Sequence, residues 1–290
     1  MTKLNKKTDC AIIYILGQSN AHAHCQAMAE EDIIKEPMKN VWKLDTADNQ
    51  SFDLKEAKWS GFTSYDYNLG ETQNCTYSMA SFLAKKWQKR IDDGENLPDL
   101  HIVQISIGGQ MIIGGMWEPH YSRTNALTPG TYDVCEIALY ELTMYLLPII
   151  HKSLAVKYEN VQSLGVHWIG SEGDTYPGAY DKPNFHEIYY NFFTSIVDRT
   201  GFETPLYLYK IVREKNLLKK NESTEGIAAV NAEYEKLCGL IDNCSIVDPR
   251  KAPFYDSTKE DDGIFSPDLS HYHKFTQEWF ADRFLGEILA

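Results

Sequence analysis

The strongest constraint on the fold is an alternation along the chain between short, nearly continuous apolar runs and longer runs with helical periodicity. The apolar runs have strand length, and we predict strands at 10–16, 101–107, 163–169, 205–212 and 244–247. We predict helices at 76–91, 133–156, 184–198, 223–241 and 273–289. Strands that are apolar on both faces belong in a parallel sheet covered by helices on both sides. The sequence therefore predicts a three-layer α/β/α sandwich with a mostly parallel central sheet.

The length of 290 residues fits one large domain, and we predict a single domain over 1–290 with 1–9 as a flexible tail. Two long segments, 45–75 and 110–132, lack strong periodicity. Loops of that length inside a compact domain tend to be functional. In an open α/β sheet they would line the crevice beyond the carboxyl ends of the strands, where ligands bind.

The net charge of −13 excludes several classes of partner. A field of that sign repels phosphate backbones and anionic membrane surfaces, so we expect neither nucleic acid nor a membrane. No apolar run reaches the ~20 residues that a spanning helix needs, and the first is too short for a signal-peptide core. The six cysteines form no CxxC pair and favour a reducing compartment such as the cytoplasm. Export without a classical signal and a place in a viral particle stay open.

The first predicted strand ends in a polar turn, Gly17-Gln18-Ser19-Asn20. A small residue followed by a polar turn at the carboxyl end of a strand can expose a serine hydroxyl at the rim of the sheet. The tetrapeptide is also compatible with an ordinary turn. Ala21 stands where the common nucleophile elbow has its second glycine, so the usual α/β-hydrolase pattern is disfavoured.

A histidine near the other end of the chain is a candidate base for this serine. Asp268 lies three residues before His271, just ahead of the last predicted helix. A serine hydroxyl needs a base to take its proton, and the base needs a third group that fixes its tautomer. The alternative is a helix N-cap with an exposed histidine nearby. His273 competes with His271 but fits the spacing less well.

Two further motifs follow predicted strands. Gly108, Gly109 and Gln110 come after the second strong strand and lead to Trp117. Glycines there let the backbone approach a ligand and direct amides at a developing oxyanion, although a plain Gly-Gly turn is the alternative. The segment 168–174 ends the next strand with two carboxylates, which suit a site or the cap of the following helix.

Taken together, the four motifs resemble those of the SGNH (GDSL-like) hydrolases. The resemblance is strongest to the branch of sialate O-acetylesterases and acetylxylan esterases, often called carbohydrate esterase family six. In that branch the nucleophile lies in a Gly-Gln-Ser-Asn motif, as at 17–20, and a closing Asp-x-x-His matches Asp268 and His271. A Gly-Gly block ending in tryptophan resembles 108–117, and Trp-x-Gln-Gly-Glu-x-Asp aligns with 168–174. The resemblance spans 11–284.

The resemblance implies a flavodoxin-like sheet and a serine esterase that needs no cofactor and no metal. Ser19, His271 and Asp268 would be nucleophile, base and orienting acid. The oxyanion hole would use the amides of Ser19 and Gly109. Further substrate contacts are expected from Gln18, Asn20, Gly108, Trp117 and Glu172. The implied substrate is an acetyl ester on a carbohydrate.

Three positions depart from the family pattern. Gly170 stands where the family has a glutamine that helps hold the oxyanion, and Ser171 replaces the glycine that follows. Gln110 occupies a place where a small hydroxyl residue is usual. We hypothesise that Gln110 supplies the missing amide from the neighbouring loop.

Two alternatives to the esterase stay open. A glycan-binding module on a degenerate esterase scaffold fits the altered oxyanion block, because a fold does not guarantee its chemistry. An O-acetyltransferase would keep the chemistry and change the acceptor. His22, His24 and Cys25 follow Ser19 closely but show no recognised metal-ligand spacing, so we expect the histidines to touch substrate or solvent.

Overall fold

The computed structural model describes residues 3–24, 26–46, 48–49, 54–71, 74–119, 139–212, 223–256, 263–265 and 271–290. The strands in these ranges are β1 (Cys10–Gly17), β2 (Val41–Leu44), β3 (Trp59–Gly61), β4 (Asp99–Ser106), β5 (Val161–Ile169), β6 (Leu206–Tyr209) and β7 (Cys244–Val247). The helices are α1 (Met79–Asp92), α2 (Leu139–Lys157), α3 (Phe185–Arg199), α4 (Thr224–Cys238) and α5 (Lys274–Leu289).

These strands form one sheet in the order β3-β2-β4-β1-β5-β6-β7. Only β3 is antiparallel to its neighbour, and every other pairing is parallel. The five neighbouring strands β4-β1-β5-β6-β7 have the flavodoxin-type order, in which the first strand of the chain lies second among the five. The predicted three-layer α/β/α sandwich with a mostly parallel sheet is confirmed.

Both faces of the sheet are buried, as the apolar strands predict. Alternate residues of β1 face opposite layers, because successive side chains of a strand point to opposite sides. Ile12 and Tyr14 belong to the core under α2, α3 and α4, whereas Ile13 and Ile15 belong to the core under α1 and α5. A strand buried on both faces has no polar side to alternate, which explains its continuous run of apolar residues.

Two strands were missed by the sequence analysis. β2 and β3 contain four and three residues, and they extend the sheet at one edge. β3 falls inside the segment 45–75 that we expected to be a long loop. Strands this short carry little periodicity, so their pairing depends on tertiary contacts instead of local pattern.

The ends of the other elements follow local capping chemistry. α1 begins three residues later than predicted, because Ser78 is its N-cap and its side chain accepts a hydrogen bond from Ser81 N. At the start of the chain, Leu4 N donates to Ile288 O at 2.8 Å. Flexibility of 1–9 stays a prediction.

The cysteines are only partly as expected. Cys10 is a buried free thiol, and Cys135 lies outside the described residues. Cys238 and Cys244 form a disulfide between the end of α4 and the start of β7, a pair that the sequence analysis did not identify. In the described ranges, no helix is long and apolar enough to cross a membrane.

The sheet register brings three of the four motifs to one edge. Gly17, at the end of β1, pairs with Ser106 at the end of β4 and with Ile169 at the end of β5. The segments that follow these residues therefore leave the sheet side by side. These are the segments in which we predicted the nucleophile, the oxyanion amides and the carboxylates.

Candidate functional site

The turn at 17–20, called the Ser19 turn below, begins with a close approach of two strands. Gly17 has φ +143°, a conformation that favours glycine, and a methyl group on it would lie 2.1 Å from Ile169 O. Gln18 N donates to the same carbonyl at 3.2 Å. Gln18 and Asn20 are almost completely buried, whereas Ser19 between them is partly exposed. The turn thus presents the Ser19 side chain at the rim while its neighbours anchor it.

Asn20 connects the Ser19 turn to two other motifs. Its Nδ2 donates to Glu172 Oε1 at 2.6 Å, and its Oδ1 accepts from Tyr272 N at 2.8 Å. Its backbone carbonyl accepts from Gln277 Nε2 in α5 at 2.8 Å. Because both ends of its side chain are bonded inside the protein, Asn20 acts as a positioning residue for this edge of the sheet.

The predicted base reaches the same region. His271 immediately precedes Tyr272, whose backbone N–H donates to Asn20. The ring centroid of His271 lies 5.2 Å from that of His24, which follows Asn20 by four residues. The residue predicted to orient it, Asp268, lies outside the described residues. The fold therefore brings the Ser19 turn and the His271 segment together from opposite ends of the chain.

The loop at 108–117 lies beside Ser19. A methyl group on Gly108 would lie 3.7 Å from Ser19 Cβ, and Gly109 adopts φ +70°, which glycine tolerates without strain. Gln110 Oε1 accepts from Met116 N at 3.3 Å, so this side chain crosses its own loop. Trp117 is fully buried, and its Nε1 donates to Gly17 O at 3.0 Å. Trp117 thereby fastens the loop to the Ser19 turn.

A buried carboxylate holds the 108–117 loop from the other side. Asp174 accepts from Ile112 N and Ile113 N at 3.2 and 2.9 Å and from the Tyr189 hydroxyl at 2.8 Å. Complete burial outweighs these hydrogen bonds and raises the pKa of Asp174 to about 6, from an ordinary 3.8. The loop is thus pinned by a group that binds its proton more tightly in the folded protein than in the unfolded chain.

This shift predicts a pH dependence of stability. Between pH 4 and 6 the folded state binds more protons at Asp174 than the unfolded state does, so the free energy of unfolding falls as pH rises through that window. The expected loss is about 3 kcal/mol, at 1.36 kcal/mol for each unit of pKa. Urea unfolding of the wild type and Asp174→Asn from pH 4 to 7 measures it, because asparagine does not titrate. Parallel stability curves for the two proteins would contradict the assignment.

The departures at 170 and 171 have structural reasons. A methyl group on Gly170 would lie 3.3 Å from Gly17 Cα and 3.4 Å from Gln18 Cγ, so the Ser19 turn already fills the space that a side chain would enter. Ser171 adopts φ +74°, in the left-handed region where the family pattern has glycine. Its hydroxyl accepts a hydrogen bond from Trp168 Nε1 at 3.0 Å, which offsets part of that backbone strain.

Two residues near Ser19 were missed or misjudged. His22 was expected to touch substrate or solvent, but it is fully buried, and its Nδ1 lies 2.8 Å from Ser106 Oγ. Burial and the neighbouring His24 and His271 lower the pKa of His22 to about 3. Glu71 approaches from the segment before α1, and its Oε2 accepts from Gly108 N at 2.9 Å. Nothing in the local sequence of Glu71 indicates this position.

Solved structures supply one comparison with known proteins. The fold is similar to that of NanS, with a TM-score of 0.62 and 15% sequence identity over 97% of both chains. The chain shares its fold with NanS. A protein from Arabidopsis thaliana is also similar, with a TM-score of 0.58 and 13% identity over 96% of this chain and 98% of that one. No protein-family model matches the sequence, and no curated protein matches it.

Proposed function

We propose that the protein is a serine esterase that removes acetyl or other short acyl groups from a carbohydrate. Two hydrogen bonds of the Asn20 side chain carry the proposal. Asn20 donates to Glu172 Oε1 and accepts from Tyr272 N. These bonds join the Ser19 turn to the segment of the candidate base and to the fourth motif. The NanS-like fold over nearly the whole chain agrees with that assignment.

The proposed reaction is acyl transfer through the Ser19 hydroxyl. His271 takes the proton of Ser19 Oγ as the oxygen attacks the ester carbonyl, and Asp268 holds the imidazole in the correct tautomer. The backbone amides of Ser19 and Gly109 stabilise the tetrahedral oxyanion. Gly109 has a positive φ in this loop, a conformation that glycine adopts without strain. His271 then protonates the leaving alkoxide, and a water molecule hydrolyses the acyl-enzyme by the same steps.

The remaining site residues support this geometry. Gln18, Gly108 and Glu172 are proposed to contact the substrate. Glu172 Oε2 and Gln18 Oε1 are buried acceptors that have no hydrogen-bond partner in the described ranges. Hydroxyl groups of a sugar are donors that would pair with such acceptors. The net charge of −13 favours a neutral glycan over a polyanionic one.

Two assays test the proposal together. The protein is incubated with a serine-reactive phosphonate, and the labelled peptide is identified by mass spectrometry. Acetate release is then measured from O-acetylated sugars, alongside 4-nitrophenyl esters of acetate and of a long acyl chain. We expect one label on the peptide with Ser19 and a preference for acetate. Sugar binding without labelling and without hydrolysis would support the glycan-binding alternative. Transfer of the acetyl group to added sugar in preference to water would support the O-acetyltransferase alternative.

The side chain of Gln110 is proposed as a third oxyanion donor through its Nε2, because its Oε1 already accepts from Met116 N. Gln110→Ala is expected to lower kcat by roughly 10²–10³, the usual effect of removing one such donor. Gln162→Ala is the matched control, since Gln162 Oε1 accepts from Asn5 N at 2.8 Å beside the amino end of β5. An unchanged kcat in Gln110→Ala would remove this residue from the oxyanion hole.

A further inference from the structure

A chain of hydrogen bonds fixes the tautomer of His22. Asn68 Oδ1 accepts from Ser106 N at 2.9 Å, which sets the orientation of the Asn68 amide. Ser106 Oγ therefore donates its single proton to Asn68 Oδ1, at 3.2 Å. Ser106 Oγ also lies 2.8 Å from His22 Nδ1. Because its own proton goes to Asn68, Ser106 Oγ must accept from His22, so His22 Nδ1 carries the proton. The lone pair of the ring is left on Nε2.

This lone pair faces a carboxylate inside the protein. His22 Nε2 is buried and has no hydrogen-bond partner in the part of the chain that the structure describes. Glu71 Oε2 lies 3.6 Å from it. Two electron-rich atoms that face each other without a proton between them repel, and the repulsion is strong where water is excluded. A cation between them would turn the repulsion into two favourable contacts.

A third ligand atom completes the arrangement. His24 Nδ1 lies 3.9 Å from Glu71 Oε1, and ligand atoms of His22, His24 and Glu71 all lie within 4.8 Å of one another. A tetrahedral zinc site with bonds of about 2.0–2.1 Å places neighbouring ligand atoms about 3.3 Å apart. Shifts of a few tenths of an ångström to about 1 Å therefore close the three side chains on an ion.

We propose that His22 Nε2, His24 Nδ1 and the Glu71 carboxylate bind a divalent transition-metal ion of the zinc class. Two imidazoles and a carboxylate select such an ion over Mg²⁺ or Ca²⁺, which prefer sets of oxygen ligands. The hydrogen bond from His22 Nδ1 to Ser106 is the outer contact that orients a metal-binding imidazole. Three protein ligands leave a fourth position for water or a substrate atom.

The proposed metal site adjoins the Ser19 turn, but metal binding does not depend on an esterase reaction at Ser19. Glu71 Oε2 accepts from Gly108 N at 2.9 Å, and a methyl group on Gly108 would lie 3.7 Å from Ser19 Cβ. On the other side, the ring of His24 lies beside that of His271. The ion would therefore lie next to the candidate active site.

Isothermal titration of Zn²⁺ into metal-free Ser19→Ala protein tests the site apart from any esterase activity. We expect one equivalent to bind, and Co²⁺ to give the intense visible absorption of a four-coordinate site. In the same background Ser106→Ala is expected to weaken binding by roughly 10–100-fold, as loss of an outer-shell partner does. His24→Ala and Glu71→Gln, which remove ligands at partly exposed positions, are expected to weaken it further and to abolish the Co²⁺ spectrum.

Two controls separate this site from adventitious binding. His186→Ala removes a surface histidine whose Nδ1 lies 2.5 Å from Glu233 Oε1, a pair that no third potential ligand joins among the described residues, and it should leave the titration unchanged. Cys25→Ser removes the thiol that follows His24 in the sequence and should also leave the titration unchanged. Absence of stoichiometric binding, or binding that survives His24→Ala and Glu71→Gln while circular dichroism shows folded proteins, would overturn the proposal.

Discussion

Ser19→Ala is expected to lower kcat for 4-nitrophenyl acetate by roughly 10⁴–10⁶, because alanine has no oxygen that can attack the carbonyl. The fold should survive, since Ser19 is partly exposed and the anchoring bonds of the turn belong to its neighbours Gln18 and Asn20. A stopped assay with both proteins, together with their thermal unfolding curves, separates lost chemistry from lost structure. The phosphonate label should disappear with the activity.

Two further variants sharpen this result. Ser60→Ala removes another partly exposed serine, on the edge strand β3, and should leave kcat unchanged. His271→Ala alone should be nearly as inactive as Ser19→Ala, and the double variant little worse than either, because the two groups act as a unit. Equal rates for the wild type and Ser19→Ala would exclude Ser19 as the nucleophile. Additive losses in the double variant would mean that His271 does not serve Ser19.

The predictable part of the fold is the part whose sequence pattern follows from burial on both faces. β1, β4 and β5 were located to within a few residues because each contains several large apolar residues close together, most completely in β1. β2 and β3 were missed because strands of four and three residues have too few positions for a period to emerge. The pairing of Cys238 with Cys244 likewise depends on how α4 turns into β7, which no spacing rule for cysteines specifies.

The neighbourhood of Ser19 divides in the same way. Parallel strands have their carboxyl ends at one edge, so motifs that follow β1, β4 and β5 had to meet. The burial of His22 and the approach of Glu71 did not follow from that rule. Both depend on the course of the segment before α1, where Asn68 bonds to Ser106 and fixes the chain across the end of β4. Contacts of this kind are specific to one packing arrangement and carry no local signal.

Gly17→Ala is expected to destabilise the protein by about 4 kcal/mol or more, through backbone strain and a clash with the next strand. The φ of +143° disfavours any side chain, and the added methyl group would lie 2.1 Å from Ile169 O. Because the unfolding entropy is about 2.1 cal/mol/K per residue and the chain has 290 residues, the melting temperature should fall by about 7 °C or more. Differential scanning calorimetry measures the shift.

Two other glycines separate the contributions to this loss. Gly94 has φ +94° with no atom within 4 Å of an added methyl group, so Gly94→Ala carries backbone strain alone, about 1–3 kcal/mol. Gly286 lies in α5 with open space around it, and Gly286→Ala should stabilise the helix by about 0.5–1 kcal/mol. If Gly17→Ala were no worse than Gly94→Ala, the close approach to Ile169 would not constrain the Ser19 turn. A larger loss would mean that the same contact that excludes a side chain at 17 holds Ser19 at the rim of the sheet.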